Sequence, residues 1–355
     1  MKNRIQALKK SFEADEIDCF IVANETNMLY FTDFLGGTML LAPKTDENVL
    51  FVHGTNYEAA KAEAKNCRVR LLKRKEDVLS KVAEEIKNLN PKHAGFDALE
   101  ASLYLKMKNA LKGIRLESKD KLVWELRRIK DQTELGKMRK AAQLTDEGVK
   151  VAVETIKSGI REYEVAAEIE YAMRRLGSEG VAFDTIVASG VRSAFPHGGC
   201  TDRKIQKGDL VVLDMGARYQ NYRSDLTRTF VIGKPTSKQG KIYETVKEAQ
   251  EKAFQSIHEG VKAKDADGVA RKLIEKEGYG KYFVHGLGHG IGLETHEQPT
   301  LGPESKDVLK AENVVTDEPG IYIIDFGGVR IEDTVLVQKE TAERLTKATC
   351  NFEIH

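Results

Sequence analysis

The sequence predicts an α+β protein of two domains, and three observations carry that prediction. Residues 1–122 alternate helical and extended stretches, the pattern of a small α/β domain. Polarity rises at Lys119-Asp120-Lys121 and a long helical pattern starts soon after, which places the domain boundary at 122/123. From Phe183 onward, short β-rich runs are punctuated by glycine, the signature of a mostly antiparallel sheet within residues 123–355.

Taken in order, the chain opens with a charged amphipathic helix over MKNRIQALKKSFEADEID, followed by a buried strand at Cys19-Phe20-Ile21-Val22. Further strands are expected at Met39-Leu40-Leu41 and at Val49-Leu50-Phe51-Val52. Asp131 and Glu134 have the spacing of a capping box at the start of the long helix. A second helix, Glu162 to Leu176, carries an apolar stripe of Val165, Ala166, Ile169 and Met173, and Gly177 ends it. The β-rich runs then follow: TIVAS, DLVVLDMG, YRSDLTRTFVIG, VVTDEPGIYII and VRIEDTVLV.

Composition narrows the functional classes. With 41% hydrophobic and 31% charged residues over 355 positions, the chain can bury at least one large core. Its 56 basic and 55 acidic residues leave a formal net charge of +1, too small a field to steer nucleic acid, so no nucleic-acid partner is expected. Cys19, Cys67, Cys200 and Cys350 are scattered with no C-x-x-C pair, as free thiols of a reducing compartment would be. The first residues contain no apolar core of a signal peptide, and no run of about 18 apolar residues occurs. A cytoplasmic protein without a membrane partner is therefore expected.

Three segments carry chemistry. In DLVVLDMGARYQNYRSDLTRTF two strand-like runs flank a polar stretch, so that Asp214 and Asp225 can face each other across a hairpin. Close carboxylates repel unless they share a proton or hold a cation, so the pair is a dyad, a metal site or, taken alone, simply two strand-end aspartates near a turn. In FVHGLGHGIGLETHEQP, His285, His289 and His296 fall within twelve residues, and the alternating glycines would let backbone and imidazoles approach a ligand closely. Glu318 in DEPGIYII and Glu332 in GGVRIEDT sit in strand-like runs, where a buried carboxylate needs a cation or, for Glu332, a neighbour such as Arg330. The set combines four carboxylates with one imidazole, hard ligands suited to two divalent ions such as Mn, Co, Fe or Zn. Paired ions of this kind lower the pKa of water and polarise a carbonyl, which makes a hydrolytic device.

These motifs resemble the Xaa-Pro peptidase family, the prolidase and aminopeptidase P branch of the pita-bread metallopeptidases. The resemblance rests on Asp214-Met215-Gly216, on Ser224 to Thr229, on Gly288-His289-Gly290, on Glu318-Pro319-Gly320 and on the run ending Glu332-Asp333. It implies that Asp214, Asp225, His289, Glu318 and Glu332 ligate two metals, and that His197 and His296 stabilise substrate and transition state. IDCFIVANETNMLYFTDFLGG is similar to the creatinase-like first domain of the proline-specific branch, so the fold implied is a creatinase-like domain before a pita-bread catalytic domain. A homodimer is also implied.

The activity implied is hydrolysis of the bond preceding proline in small proline-containing peptides, Xaa-Pro dipeptides first, with Glu318 relaying a proton. Some prolidases carry an arginine after the H-E-x-P run to hold the dipeptide carboxylate; here Thr300 follows Pro299, so Arg330 or another basic side chain takes that role. Asp317 stands where the family has an aliphatic residue before the glutamate, and its side chain is expected on the opposite strand face. The rival readings are aminopeptidase P, acting on longer peptides, and a non-catalytic peptide-binding pseudopeptidase. A serine hydrolase is disfavoured because G-x-S-x-G is missing.

Overall fold

The computed structural model describes residues 4–354; residues 1–3 and 355, which the expected first helix and second domain include, lie outside the described residues. The chain divides into two compact units after Arg127. The helix Asp120–Arg127 runs through the polar stretch at 119–121, and its buried residues Val123 and Arg127 belong to the first unit. Arg127 donates to Asn27 Oδ1 at 2.8 Å there, which is why the division falls after this helix rather than at 122/123.

In the first unit six strands form one mixed sheet, in the order Arg68–Leu72, Val49–His53, Met39–Pro43, Cys19–Val22, His93–Phe96, Arg115–Ser118. Every residue of Cys19–Val22 is buried, as a central strand covered on both faces requires. Ile21 joins Val82 and Ile86 of helix Val78–Asn88 in one core, while Phe20 stacks on Phe12 from the other face.

The second unit begins with helix Gln132–Thr155, closed at its start by the capping box read from the sequence: Glu134 N–H donates to Asp131 Oδ1 at 2.9 Å and Asp131 N–H to Glu134 Oε2 at 2.8 Å. Helix Glu162–Arg175 follows and ends before Gly177, whose φ of +103° only glycine adopts freely. Val165, Ile169 and Met173 of this second helix meet Val211, Leu213, Met215 and Phe230 in one core. A second helix pair, Ser237–Ser256 and Ala263–Lys276, buries Ile242, Val246, Ala249 and Ile274 against Val315, Ile321, Val329 and Val335. The strands between these helix pairs are mostly antiparallel, as predicted; Glu353–Ile354 adds in parallel to Leu226–Ile232.

Candidate active site

Strand alternation places the carboxylates. In Leu210–Met215, Val211, Leu213 and Met215 point into a helix-backed core, so Asp214 points the other way. The partner strand Leu226–Ile232 sets Thr227, not Asp225, opposite Asp214; Asp225 lies two residues earlier, on the same face as Thr227. The short hairpin between them turns at Gln220 and Asn221, both with positive φ. Asp214 and Asp225 are therefore diagonal neighbours rather than a directly opposed pair.

The glutamates follow from a second antiparallel pair. Asp317 and Asp333 stand directly opposite each other in strands Val314–Asp317 and Asp333–Val337. Glu318 and Glu332 are the next residues outward, and by alternation they project from the opposite face, together. Asp317 is 0% exposed, neither of its oxygens has a hydrogen-bond partner among the described residues, and it does not line the cavity. Burial first, then the Asp333 charge, pushes its carboxyl well above the ordinary range.

His289 sits on the short strand Gly288–Gly290. Its Nδ1–H donates to the Gly290 carbonyl at 3.0 Å, leaving the Nε2 lone pair toward Glu318 Oε1 at 3.3 Å and Asp225 Oδ2 at 3.8 Å. The flanking glycines let neighbouring strands approach closely: a Cβ on Gly288 would meet the Thr316 carbonyl oxygen at 2.2 Å, and one on Gly290 the Gln298 carbonyl oxygen at 2.3 Å. Gly286 and Gly288 also line a cavity with His289, as expected from the sequence of this glycine-rich run.

All five acidic and imidazole groups, with His197, His296 and Arg330, line one cavity of about 530 Å³, a size suited to a small ligand. Candidate ligand atoms of Asp225, His289 and Glu332 lie within 4.8 Å of one another. Asp214 Oδ1 and Glu332 Oε1 are buried without a hydrogen-bond partner among the described residues. Orphaned anionic oxygens beside a free imidazole lone pair are costly unless a cation meets them, and the donor set fits a divalent ion. Burial, followed by the Glu332, Asp214 and Glu318 charges, raises the Asp225 carboxyl well above its usual range. Burial likewise raises Glu332 and Glu318, and it lowers His289, which stays a neutral imidazole.

Hydrogen-bond partners that the sequence did not reveal fix these groups. Thr227 Oγ1 donates to Glu332 Oε2 at 2.6 Å and accepts from Arg330 Nε at 2.9 Å. Thr316 Oγ1 donates to Glu318 Oε1 at 3.0 Å and accepts from the His289 amide at 3.0 Å. Arg330 Nη1 donates to the Tyr322 hydroxyl at 2.8 Å, and that hydroxyl donates to His285 Nε2 at 2.9 Å. Its other donors reach Asp214 Oδ2 at 2.6 Å and the Pro196 carbonyl at 3.4 Å, so Arg330 is mostly committed to protein partners. His296 packs edge-on to His289 with ring centroids 4.4 Å apart. Phe183, Asp184 and Ile186 also line the cavity, unsignalled as site residues in the sequence. A second cavity of about 630 Å³, lined by Arg228, Asp333 and Arg344 among others, contains none of the five groups.

With this geometry in view, the profile described as metallopeptidase family M24 matches residues 136–339, and that of the creatinase/prolidase N-terminal domain matches residues 4–129. The chain belongs to metallopeptidase family M24. The pita-bread and creatinase-like expectations are borne out by these matches and by the fold. An Xaa-Pro dipeptidase of Pyrococcus furiosus is 43% identical over 350 residues, covering 98% of each chain. The structure of an Xaa-Pro dipeptidase from Bacillus anthracis superposes with a TM-score of 0.94 at 37% identity, covering 99% of both chains. An X-Pro aminopeptidase from Thermotoga maritima superposes at 0.88 with 35% identity, covering 97% of this M24 chain and all of its own. No helix among the described residues is long and apolar enough to cross a membrane.

Proposed function

We propose that this M24 metallopeptidase hydrolyses the peptide bond preceding proline, acting on Xaa-Pro dipeptides. The observation that carries the reading is the convergence of Asp214, Asp225, His289, Glu318 and Glu332 on one cavity that also receives His197 and His296. In this reading those five residues hold two divalent ions, of Mn, Co, Fe or Zn. Ions bound there supply an acidified water and a polarised carbonyl. Glu318 relays a proton, taking up the one released by the attacking water and passing it to the leaving imino nitrogen. His197 and His296 donate to the carbonyl oxygen as negative charge builds on it. His296 is suited to the role as a neutral donor, since burial and the neighbouring His289 lower its pKa.

The dipeptide preference is supported by the relatives named Xaa-Pro dipeptidases that align over nearly the whole chain. The proline carboxylate then requires a cation in the cavity, because a buried carboxylate without one costs several kcal/mol. Arg330 supplies the charge there through its remaining N–H. A cytoplasmic homodimer completes the proposal; four free cysteines agree with a reducing compartment, and sedimentation tests the dimer.

The deciding measurement is kcat/KM for Met-Pro against Met-Pro-Ala, with Mn or Co added. A dipeptide preference above about tenfold, or 1.4 kcal/mol, supports this reading. An equal preference for the tripeptide moves the activity to aminopeptidase P. Binding without cleavage of either, at full metal loading, returns the pseudopeptidase.

A further inference from the structure

The helix Glu162–Arg175 opens with a buried carboxylate that the chemistry above does not use. Glu162 is 0% exposed. Its Oε1 accepts from the Ser189 amide at 2.8 Å and from Ser189 Oγ at 2.7 Å. Its Oε2 accepts from the Thr201 amide at 3.0 Å, from Thr201 Oγ1 at 2.6 Å and from Arg192 Nη1. Arg192 in turn donates through Nη2 to the carbonyls of Gly198 and Gly199.

These partners bracket the loop that carries His197. The loop leaves strand Ile186–Ser189 at Gly190, with φ of +58°, and passes Gly199, with φ of +51°. Glycines at both ends, with a third at Gly198, give the segment little stiffness of its own. One carboxylate clamps the residue before the first glycine and the second residue after the last, and Arg192 extends its grip to the two carbonyls that follow His197. A second fixing point lies across the loop, where the Gly328 amide donates to Ser193 Oγ at 2.9 Å. That bond joins the 3-10 turn Gly190–Ala194 to strand Gly327–Arg330, which ends at Arg330. A buried carboxylate with five donors, one of them an arginine, is a rigid anchor and not a solvated surface charge.

We infer that Glu162 is the positioning residue for His197, holding through Ser189, Thr201 and Arg192 the loop that aims this imidazole into the metal cavity. The inference rests on the proposed role of His197 in the peptidase reaction. Glu162 lies outside the proposed ligand set and the cavity lining, so its loss is expected to lower the rate through where His197 sits. A displacement of about 1 Å of such a group costs up to about a hundredfold in rate.

The test is a double-mutant cycle on the metal-loaded enzyme with an Xaa-Pro substrate, reading kcat, KM, metal content and melting temperature. Glu162→Gln is expected to lower kcat about tenfold or more, with KM and metal content near wild type. His197→Ala lowers kcat on its own, and adding Glu162→Gln to it is expected to change kcat by less than about twofold. A full independent loss from Glu162→Gln in the His197→Ala background overturns the positioning role while leaving the peptidase reading intact. Wild-type kcat in Glu162→Gln overturns it too. Wild-type kcat in His197→Ala instead overturns the role of His197 itself, and with it this inference. Where Glu162→Gln fails to fold, Arg192→Ala replaces it in the same cycle, since this partly exposed arginine leaves the Ser189 and Thr201 bonds in place; the same two outcomes then decide.

Discussion

Arg330 Nη2 donates to Asp214 Oδ2 across 2.6 Å, while its Nε reaches Thr227 Oγ1, the donor to Glu332. One buried guanidinium thus orients two of the candidate ligands, one directly and one through a threonine. Its planar fork makes this possible, and an ammonium cannot reproduce it.

Arg330→Lys is therefore expected to weaken metal binding by about ten- to a hundredfold, the usual effect of losing a partner that orients a ligand. Calorimetric titration of the metal-free protein with Mn reads the change. Wild-type affinity in this variant would show that the Asp214 contact is incidental.

Ligands and helpers separate by their metal content. Asp214→Asn, Asp225→Asn, Glu332→Gln and His289→Ala are expected to lose metal and activity together, whereas His296→Ala keeps metal and loses about a hundredfold in kcat. Elemental analysis beside steady-state kinetics distinguishes the groups. If the His296 variant lost its metal and the His289 variant kept it, the two roles would be exchanged. Exhaustive chelation abolishes turnover in the same scheme, and full activity at near-zero metal would sink it.

The metal-free protein has a predictable pH dependence. Asp225, Glu318 and Glu332 all have raised folded-state pKa values, chiefly through burial. Their stabilising contribution is complete below the unfolded carboxylate value of about 4 and is lost as pH rises through the folded values. Divalent ions remove that loss by displacing the protons. The gain in melting temperature on adding Mn should grow between pH 5 and 8; a gain that is flat or falling across this range contradicts the assignment of these carboxylates.

Asp317 obeys the same sign, but it does not line the cavity and has no ion to meet. Its folded pKa is raised by burial and by Asp333, so wild-type stability falls by up to about 1.4 kcal/mol for each pH unit from about 4 up to the folded value. Asp317→Asn has no such slope. Denaturant unfolding at several pH values should show the variant's relative stability rising with pH, with metal content unchanged. Parallel curves for the two proteins would place the ionised form of Asp317 in the folded state.

The linear pattern made much of the catalytic unit readable. Asp131 and Glu134 announce their helix because a capping box is closed within four residues, and Gly177 ends the next helix because left-handed backbone suits glycine. The β-runs are legible from alternation, which also turned Asp317 away from Glu318. The strand contacts at Gly288 and Gly290, against the carbonyls of Thr316 and Gln298, were not legible in that run, because they depend on strand pairing.

The sequence itself offered the five metal-binding candidates and their chemical class, through carboxylates in strand-like runs together with motifs that resemble those of a known family. Tertiary structure alone decided how they are held. Thr227 and Glu332 are 105 residues apart, as Arg330 and Asp214 are 116 apart, and no local period relates such pairs. The same holds for Glu162, which in sequence is one more acidic residue opening a helix. Only the packing that removes it from water, and the return of Ser189 and Thr201 to its two oxygens, make it an anchor. Hydrogen bonds between distant segments are set by strand register and sheet curvature, and those form when the whole core closes.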